Sequence, residues 1–239
     1  MASNVIKNWD NQSWLASKNY ILSLNKFLVR FSNINTKSRI LDIGCGRGKI
    51  IGSLSAKVKL KNKPIGIDLV NHKDKDKKFI FKQIDALSFL IKNKKKFDLV
   101  LIKQTIHLLP LDQVKPLLIK LKKCLTPNGK IFIFMIDPYK NEFPQFRLMK
   151  KKFTVSLKKQ KKISKLITNL YPKRVSKNFS YKVEISKKKY ISMVSKRFMS
   201  LLLNLSKNQI LSGISEIDKK YKKNLKFNDK LVCFIIRNN

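Results

Sequence analysis

Residue types and spacing together specify a chemistry at Asp42-x-Gly44-x-Gly46-x-Gly48. A short apolar run, Ile40 and Leu41, ends in the acid, and the three glycines lead straight into a helix-like segment. That pattern reads as a strand, a tight turn and a helix start. Glycine permits backbone conformations closed to other residues there, and it lets a ligand approach the main chain with no Cβ in the way. The free N–H groups that open the helix then face that ligand. Spacing narrows the choice of ligand. A dinucleotide turn, G-x-G-x-x-G, needs its third glycine where Lys49 stands, and a Walker loop needs a hydroxyl where Ile50 stands. An isolated glycine turn after a strand also occurs in many α/β proteins, so the residues downstream must decide.

Further acids and one base fall at the ends of successive apolar runs. Pro-Ile-Gly-Ile-Asp-Leu-Val, after the break at Lys63-Pro64, is a second strand ending in Asp68, about twenty positions beyond the glycines. The stretch 79–87 reads as a third strand with Asp85 and Ala86 just past its end. Residues 97–110 read as a fourth strand and its loop, carrying Lys103, Gln104, Thr105 and His107. A helix with Val114, Leu117, Leu118 and Leu121 on one face follows, then a Pro-Asn-Gly turn and a fifth strand. Beyond it come a helical stretch after residue 155, an alternating sixth strand over 178–186, two helical segments, and a last strand over 230–238. Before the first strand, residues 4–33 carry Trp9, Trp14, Tyr20, Leu24, Phe27, Leu28 and Phe31 at helical spacing. The polar segment 71–78 is too charged for a core element, and its His72 is expected in solvent.

The order of these motifs over residues 39–137 resembles the class I S-adenosylmethionine-dependent methyltransferases, and D-x-G-x-G-x-G resembles their first motif. The resemblance implies an α/β fold, a Rossmann-like seven-stranded, mostly parallel sheet with helices on both faces. It implies S-adenosylmethionine as cofactor, with Asp42, Gly44, Cys45, Gly46 and Gly48 around it. Asp68 would then accept hydrogen bonds from both ribose hydroxyls, with Leu69 against the adenine. Asp85 would receive the adenine amino group, and the Ala86 N–H would meet a ring nitrogen. Lys103 and Gln104 would lie near the methionine end. Helical additions at the N-terminus and between the last two strands give a looser resemblance to small-molecule enzymes of the trans-aconitate methyltransferase type. One domain is expected, with an N-terminal lid over 1–36, a cofactor-binding half over 37–137, and a substrate half over 138–239 whose insertion spans about 187–223.

Methyl transfer needs a positioned nucleophile, and a neutral one needs a base. His107 is the candidate base, although a histidine in Ile-His-Leu-Leu also suits simple packing. An anionic acceptor would need a clamp instead. Arginine occurs only at Arg30, Arg39, Arg47, Arg147, Arg174, Arg197 and Arg237, and Arg147 and Arg197 fall in segments expected near the pocket. Trp9, Trp14, Tyr20, Tyr139 and Tyr190 complete the candidate substrate contacts.

Lys+Arg number 54 against 14 Asp+Glu, a formal charge of +40. Such a balance suits nucleic acid or acidic partners, but lysine supplies nearly all of it and is spread through every segment, as on a solvated surface. Ile102-Lys103-Gln104-Thr105 also lacks the [DNS]-P-P-[YF] motif of enzymes that methylate the exocyclic amines of DNA bases. A small anionic acceptor is therefore expected; RNA methylation and cofactor binding without catalysis are the alternatives. Cys45, Cys124 and Cys233 form no C-x-x-C pair, so neither a disulfide framework nor a metal site is expected. The N-terminus has no apolar h-region and no run approaches the roughly 20 residues that span a bilayer, so no membrane insertion and a cytoplasmic location are expected.

Overall fold

The computed structural model describes residues 13–137 and 139–238. Seven strands form one sheet: β1 (Ile40–Ile43), β2 (Ile65–Asp68), β3 (Ile80–Gln83), β4 (Phe97–Lys103), β5 (Leu125–Ile136), β6 (Val175–Ser186) and β7 (Asn224–Arg237), in the spatial order β3-β2-β1-β4-β5-β7-β6. The strands β1 to β5 pair in parallel, and β7 runs antiparallel between β5 and β6. Parallel pairs need crossovers, and these are supplied by α2 (Lys49–Val58), α3 (Ala86–Lys92) and α4 (Leu111–Lys123). Preceding β1 are a short 3-10 turn, Trp14–Ala16, and α1 (Lys18–Phe31). A long α5 (Arg147–Leu170) joins β5 to β6, and α6 (Lys187–Ser195) and α7 (Lys207–Lys220) fill the β6–β7 connection. Among the described residues no helix is long and apolar enough to cross a membrane.

Strand alternation sends side chains to two cores. Ile40, Leu99, Leu101, Phe132 and Phe134 pack with α1, α2, α6 and α7, whereas Leu41, Ile43, Val100, Ile102, Ile131 and Ile133 pack with α3 and α4. The order reverses between β1 and β4, which opens a crevice at their carboxyl ends where α/β sheets bind ligands.

The structure corrects three local expectations. The third strand stops at Gln83, because Asp85 instead caps α3, its carboxylate accepting the Ser88 N–H at 2.9 Å. The last strand begins at Asn224 and pairs with β6 from there to Ile235, so residues 224–229 belong to the strand. His72 is buried at 3% exposure, not solvated. Its polar segment folds back against the glycine loop, where Asp74 takes the Arg47 Nε at 2.6 Å and the Asp76 N–H donates to the Arg47 carbonyl at 2.9 Å.

Candidate functional site

The glycine loop stands at the tip of β1. Gly44, Gly46 and Gly48 all have positive φ, at 72°, 52° and 67°. Two of them are also dictated by neighbours. A Cβ on Gly44 would lie 2.3 Å from Thr105, and one on Gly48 would lie 2.1 Å from the Phe79 ring. Tight packing thus accounts for the outer glycines beyond any ligand's approach. Gly46 has a different role: its N–H donates to Asp68 Oδ2 at 2.9 Å, while the Val70 N–H donates to Asp68 Oδ1, also at 2.9 Å. The Asp68 carboxylate is held by both oxygens, each with a lone pair to spare for a hydroxyl. Cys45 is a half-buried thiol in the same loop, raised by burial and by Asp42 and Asp68. Leu69 is 68% exposed next to Asp68, Asp85 is exposed with its pKa lowered by Ser88, and Ala86 is buried.

Asp42 is 3% exposed, and burial, with the Asp68 charge next, pushes it up to about 7, against the opposing charge of Lys103. Two neighbouring carboxylates of which one resists ionisation suit a ligand that brings hydroxyls and positive charge. S-Adenosylmethionine, with its ribose diol, ammonium and sulfonium, fits that donor set. The ligand-free protein should register the strain. The fold favours protonated Asp42, so its penalty is absent below the ordinary value of 3.8 and grows as pH rises to about 7. Asp42→Asn is expected to stabilise the ligand-free protein by roughly 1–3 kcal/mol at pH 8 and by nothing near pH 4, as read by urea denaturation. A variant less stable than the parent at pH 8 would contradict this.

A second group of side chains meets beyond the tip of β4. Lys103 is half-buried; its Nζ donates to Gln104 Oε1 at 3.0 Å and lies 5.2 Å from the centre of the Tyr20 ring. Burial pushes it down to about 8, against the opposing effects of Asp229 and Asp42. Gln104 has a φ of 52°, a left-handed conformation costly for a residue with a side chain and typical of functional turns. Trp14 Nε1 donates to Asp229 Oδ2 at 3.1 Å, and the indole packs edge-on against Phe198 and Phe227. Tyr20 is fully buried next to Tyr181, at a ring separation of 5.1 Å.

Asp229 is the residue that the sequence reading missed, although a signal was present. Along β7 it falls in phase with Leu225, Phe227, Leu231 and Cys233, all buried on one face, so an acid interrupts an apolar alternation. Recognising it required the strand to begin at residue 224.

The remaining candidates are scattered. His107 sits in a short 3-10 turn, Ile106–Leu108, half-buried and pushed down to about 4 by burial and then Lys159, so its imidazole is neutral at pH 7. Tyr139 is 77% exposed, with the Lys161 ammonium 4.6 Å from its ring centre. Arg147 is exposed at the start of α5 and lines a groove with Lys150, Glu216 and Lys220. Arg197 and Tyr190, expected as substrate contacts, are engaged by the fold. The Arg197 Nη2 donates to the Leu205 carbonyl at 2.7 Å, and Tyr190 is fully buried against Phe198 and Phe227 with its hydroxyl bound to the Pro144 carbonyl. Trp9 lies outside the described residues.

Comparison with known proteins places this geometry. A family model described as a methyltransferase domain matches residues 17–167. No curated protein matches the sequence. Among solved structures, the chain resembles a SAM-dependent methyltransferase from Archaeoglobus fulgidus, at 17% identity over 94% of this chain and 96% of that one, with a TM-score of 0.56. It resembles YjhP from E. coli at 13% identity, covering 97% and 99% of the two chains, with a TM-score of 0.55. A third is the plantazolicin methyltransferase BpumL, in complex with a monoazolic desmethylPZN analog and SAH, at 17% identity over 99% and 90% with a TM-score of 0.53. At such identities the solved structures speak for the fold. The family model covers well over half the chain and spans the glycine loop, Asp68 and the tip of β4, so the protein belongs to the methyltransferase-domain family as a class I S-adenosylmethionine-dependent enzyme.

Proposed function

We propose that the protein methylates a small anionic acceptor bound beyond the tips of β4 and β7, with Lys103 as its counter-charge. The position of Lys103 carries this reading: it is a half-buried cation beside the crevice, whereas the Arg197 guanidinium is tied to a backbone carbonyl and Arg147 stands in an outer groove. S-Adenosylmethionine supplies an activated methyl on a sulfonium, which a nucleophile takes by in-line displacement. The chain's own work is to bind and orient. Asp68 takes the ribose hydroxyls, and Asp85 and the Ala86 N–H take the adenine. The glycine loop and Asp42 hold the amino-acid end, with Gln104 fixed beside them. Trp14 and Tyr20 cover the crevice and keep water from the nucleophile. An acceptor already anionic needs no strong base, and this suits a chain whose candidate base, His107, is pushed down to about 4 and so takes a proton poorly.

The test is S-adenosylhomocysteine release with small acids, thiols, amines and total RNA. Lys103→Met is expected to lower kcat/KM on the preferred acid or thiol by about 10- to 100-fold, the worth of a charge-assisted hydrogen bond. S-Adenosylhomocysteine binding by calorimetry should stay within about threefold, since this contact belongs to the acceptor. Raising salt from about 50 to 200 mM should change turnover little, whereas an RNA substrate held by many phosphate contacts would lose about a thousandfold in affinity or more. Turnover on RNA alone, with that salt slope, would overturn the proposal.

A further inference from the structure

Asp229 is a carboxylate at 5% exposure on the otherwise apolar face of β7, and burying it is costly unless it is paired. The structure gives it the Trp14 indole N–H, a neutral donor, on Oδ2. Holding Trp14 requires only an acceptor, which a neutral Asn would provide without the cost of a buried charge. The Tyr20 hydroxyl faces the same carboxylate, fully buried and without a hydrogen bond of normal geometry. Both neighbours of Asp229 from α1 and the turn before it are thus neutral, which leaves the charge of a buried carboxylate without a formal partner on that side. Lys103 lies between these groups and the cofactor crevice, against the face of the same Tyr20 ring. An anion-binding ammonium and an acceptor-rich corner therefore stand side by side, on elements from opposite ends of the chain.

We infer that Asp229 and the Tyr20 hydroxyl form a second acceptor subsite, which takes a hydrogen-bond donor of the substrate, an ammonium or a hydroxyl group, while Lys103 takes its anionic group. The substrate class is then a small hydroxy acid or amino acid. This rests on the anionic-acceptor reading above. Trp14 holds the Asp229 carboxylate in place, and Tyr20 adds a donor–acceptor hydroxyl that distinguishes a polar substituent from a methylene. Discrimination of this kind is strong, because a site built for a donor leaves its own polar groups unpaired around an analogue that lacks one.

The experiment is calorimetry on the full chain saturated with S-adenosylhomocysteine, titrated with butyrate, its 2-, 3- and 4-hydroxy derivatives and its 2-, 3- and 4-amino derivatives. This series moves the donor along the chain at constant carboxylate. At least one substituted acid is expected to bind about tenfold tighter than butyrate or better. Asp229→Asn should remove most of that preference, with butyrate unchanged within about threefold, and Tyr20→Phe should remove a smaller part. Tyr20→Phe keeps the test open should the Asp229 variant fold poorly. Whether the hydroxy or the amino series is preferred identifies the donor. Butyrate binding as well as every derivative, or a preference that survives both variants, would overturn this inference alone. If none of the acids binds while S-adenosylhomocysteine does, this inference falls, and the anionic-acceptor reading falls with it only if thiols and other small acids also give no turnover.

Discussion

Asp68→Ala weakens S-adenosylmethionine binding by about 100-fold or more, roughly 3 kcal/mol, the value of two hydrogen bonds to a charged acceptor. In the ligand-free protein the carboxylate already accepts the N–H groups of Gly46 and Val70, both at 2.9 Å. Those two bonds aim the free lone pairs into the crevice before any ligand arrives, and such preorganisation lowers the ordering cost of binding. Removing the side chain loses the ligand contacts and also releases the Gly46 N–H that shapes the turn. Asp68→Asn should be nearly as weak, because its amide can accept on one side only. Calorimetry with S-adenosylmethionine decides the matter, with circular dichroism as a control on folding. Affinity within about threefold of the parent would remove Asp68 from the cofactor site.

The second large effect is on stability. Gly48→Ala places a methyl in a left-handed residue at φ 67°, 2.1 Å from the Phe79 ring. The backbone conformation costs about 1–2 kcal/mol for any L-residue. Overpacking against an aromatic ring that is itself 7% exposed adds about 1–3 kcal/mol. Urea denaturation should therefore report a loss of roughly 2–5 kcal/mol. Phe79→Leu in the Gly48→Ala background should recover about 1 kcal/mol through the double-mutant cycle, because the clash with the ring is relieved and the backbone strain is not. Strictly additive losses would mean that the ring can move aside and that the glycine serves the turn alone.

The cofactor half was legible because its information is local. Asp42, Gly44, Gly46 and Gly48 lie within one turn, and Asp68 and Asp85 each follow a short apolar run, so periodicity and turn chemistry place them. Local reading also had a limit there. The sequence does not show that Phe79, from the segment before β3, packs where a Gly48 side chain would be, nor that Asp85 caps a helix. His72 was misplaced for the same reason: its neighbours along the chain are polar, but Asp74 and Asp76 fold the segment against Arg47 and bury it.

Candidate substrate residues fared differently. Residue type and approximate position suggested Arg147, Arg197 and Tyr190, and the fold ties up the last two with backbone carbonyls. Nothing in a linear pattern says which donors a nearby carbonyl will claim. Conversely, Trp14 and Asp229 stand 215 positions apart and meet at 3.1 Å, because β7 is inserted antiparallel beside β5 and α1 lies over the same edge.

The strands β1 to β5, the glycine turn and the acids at the strand ends follow from patterns a few residues long, since backbone sterics and side-chain periodicity act at that range. The polar corner of Trp14, Tyr20, Lys103 and Asp229 follows from none of them. It exists because β7 is inserted beside β5 with α1 over the same side, which brings residues 14–20 and 229 to one crevice, where burial raises Asp229 and lowers Lys103 while each opposes the other's shift. Those charges acquire their chemistry from being excluded from water together, a property of packing in three dimensions.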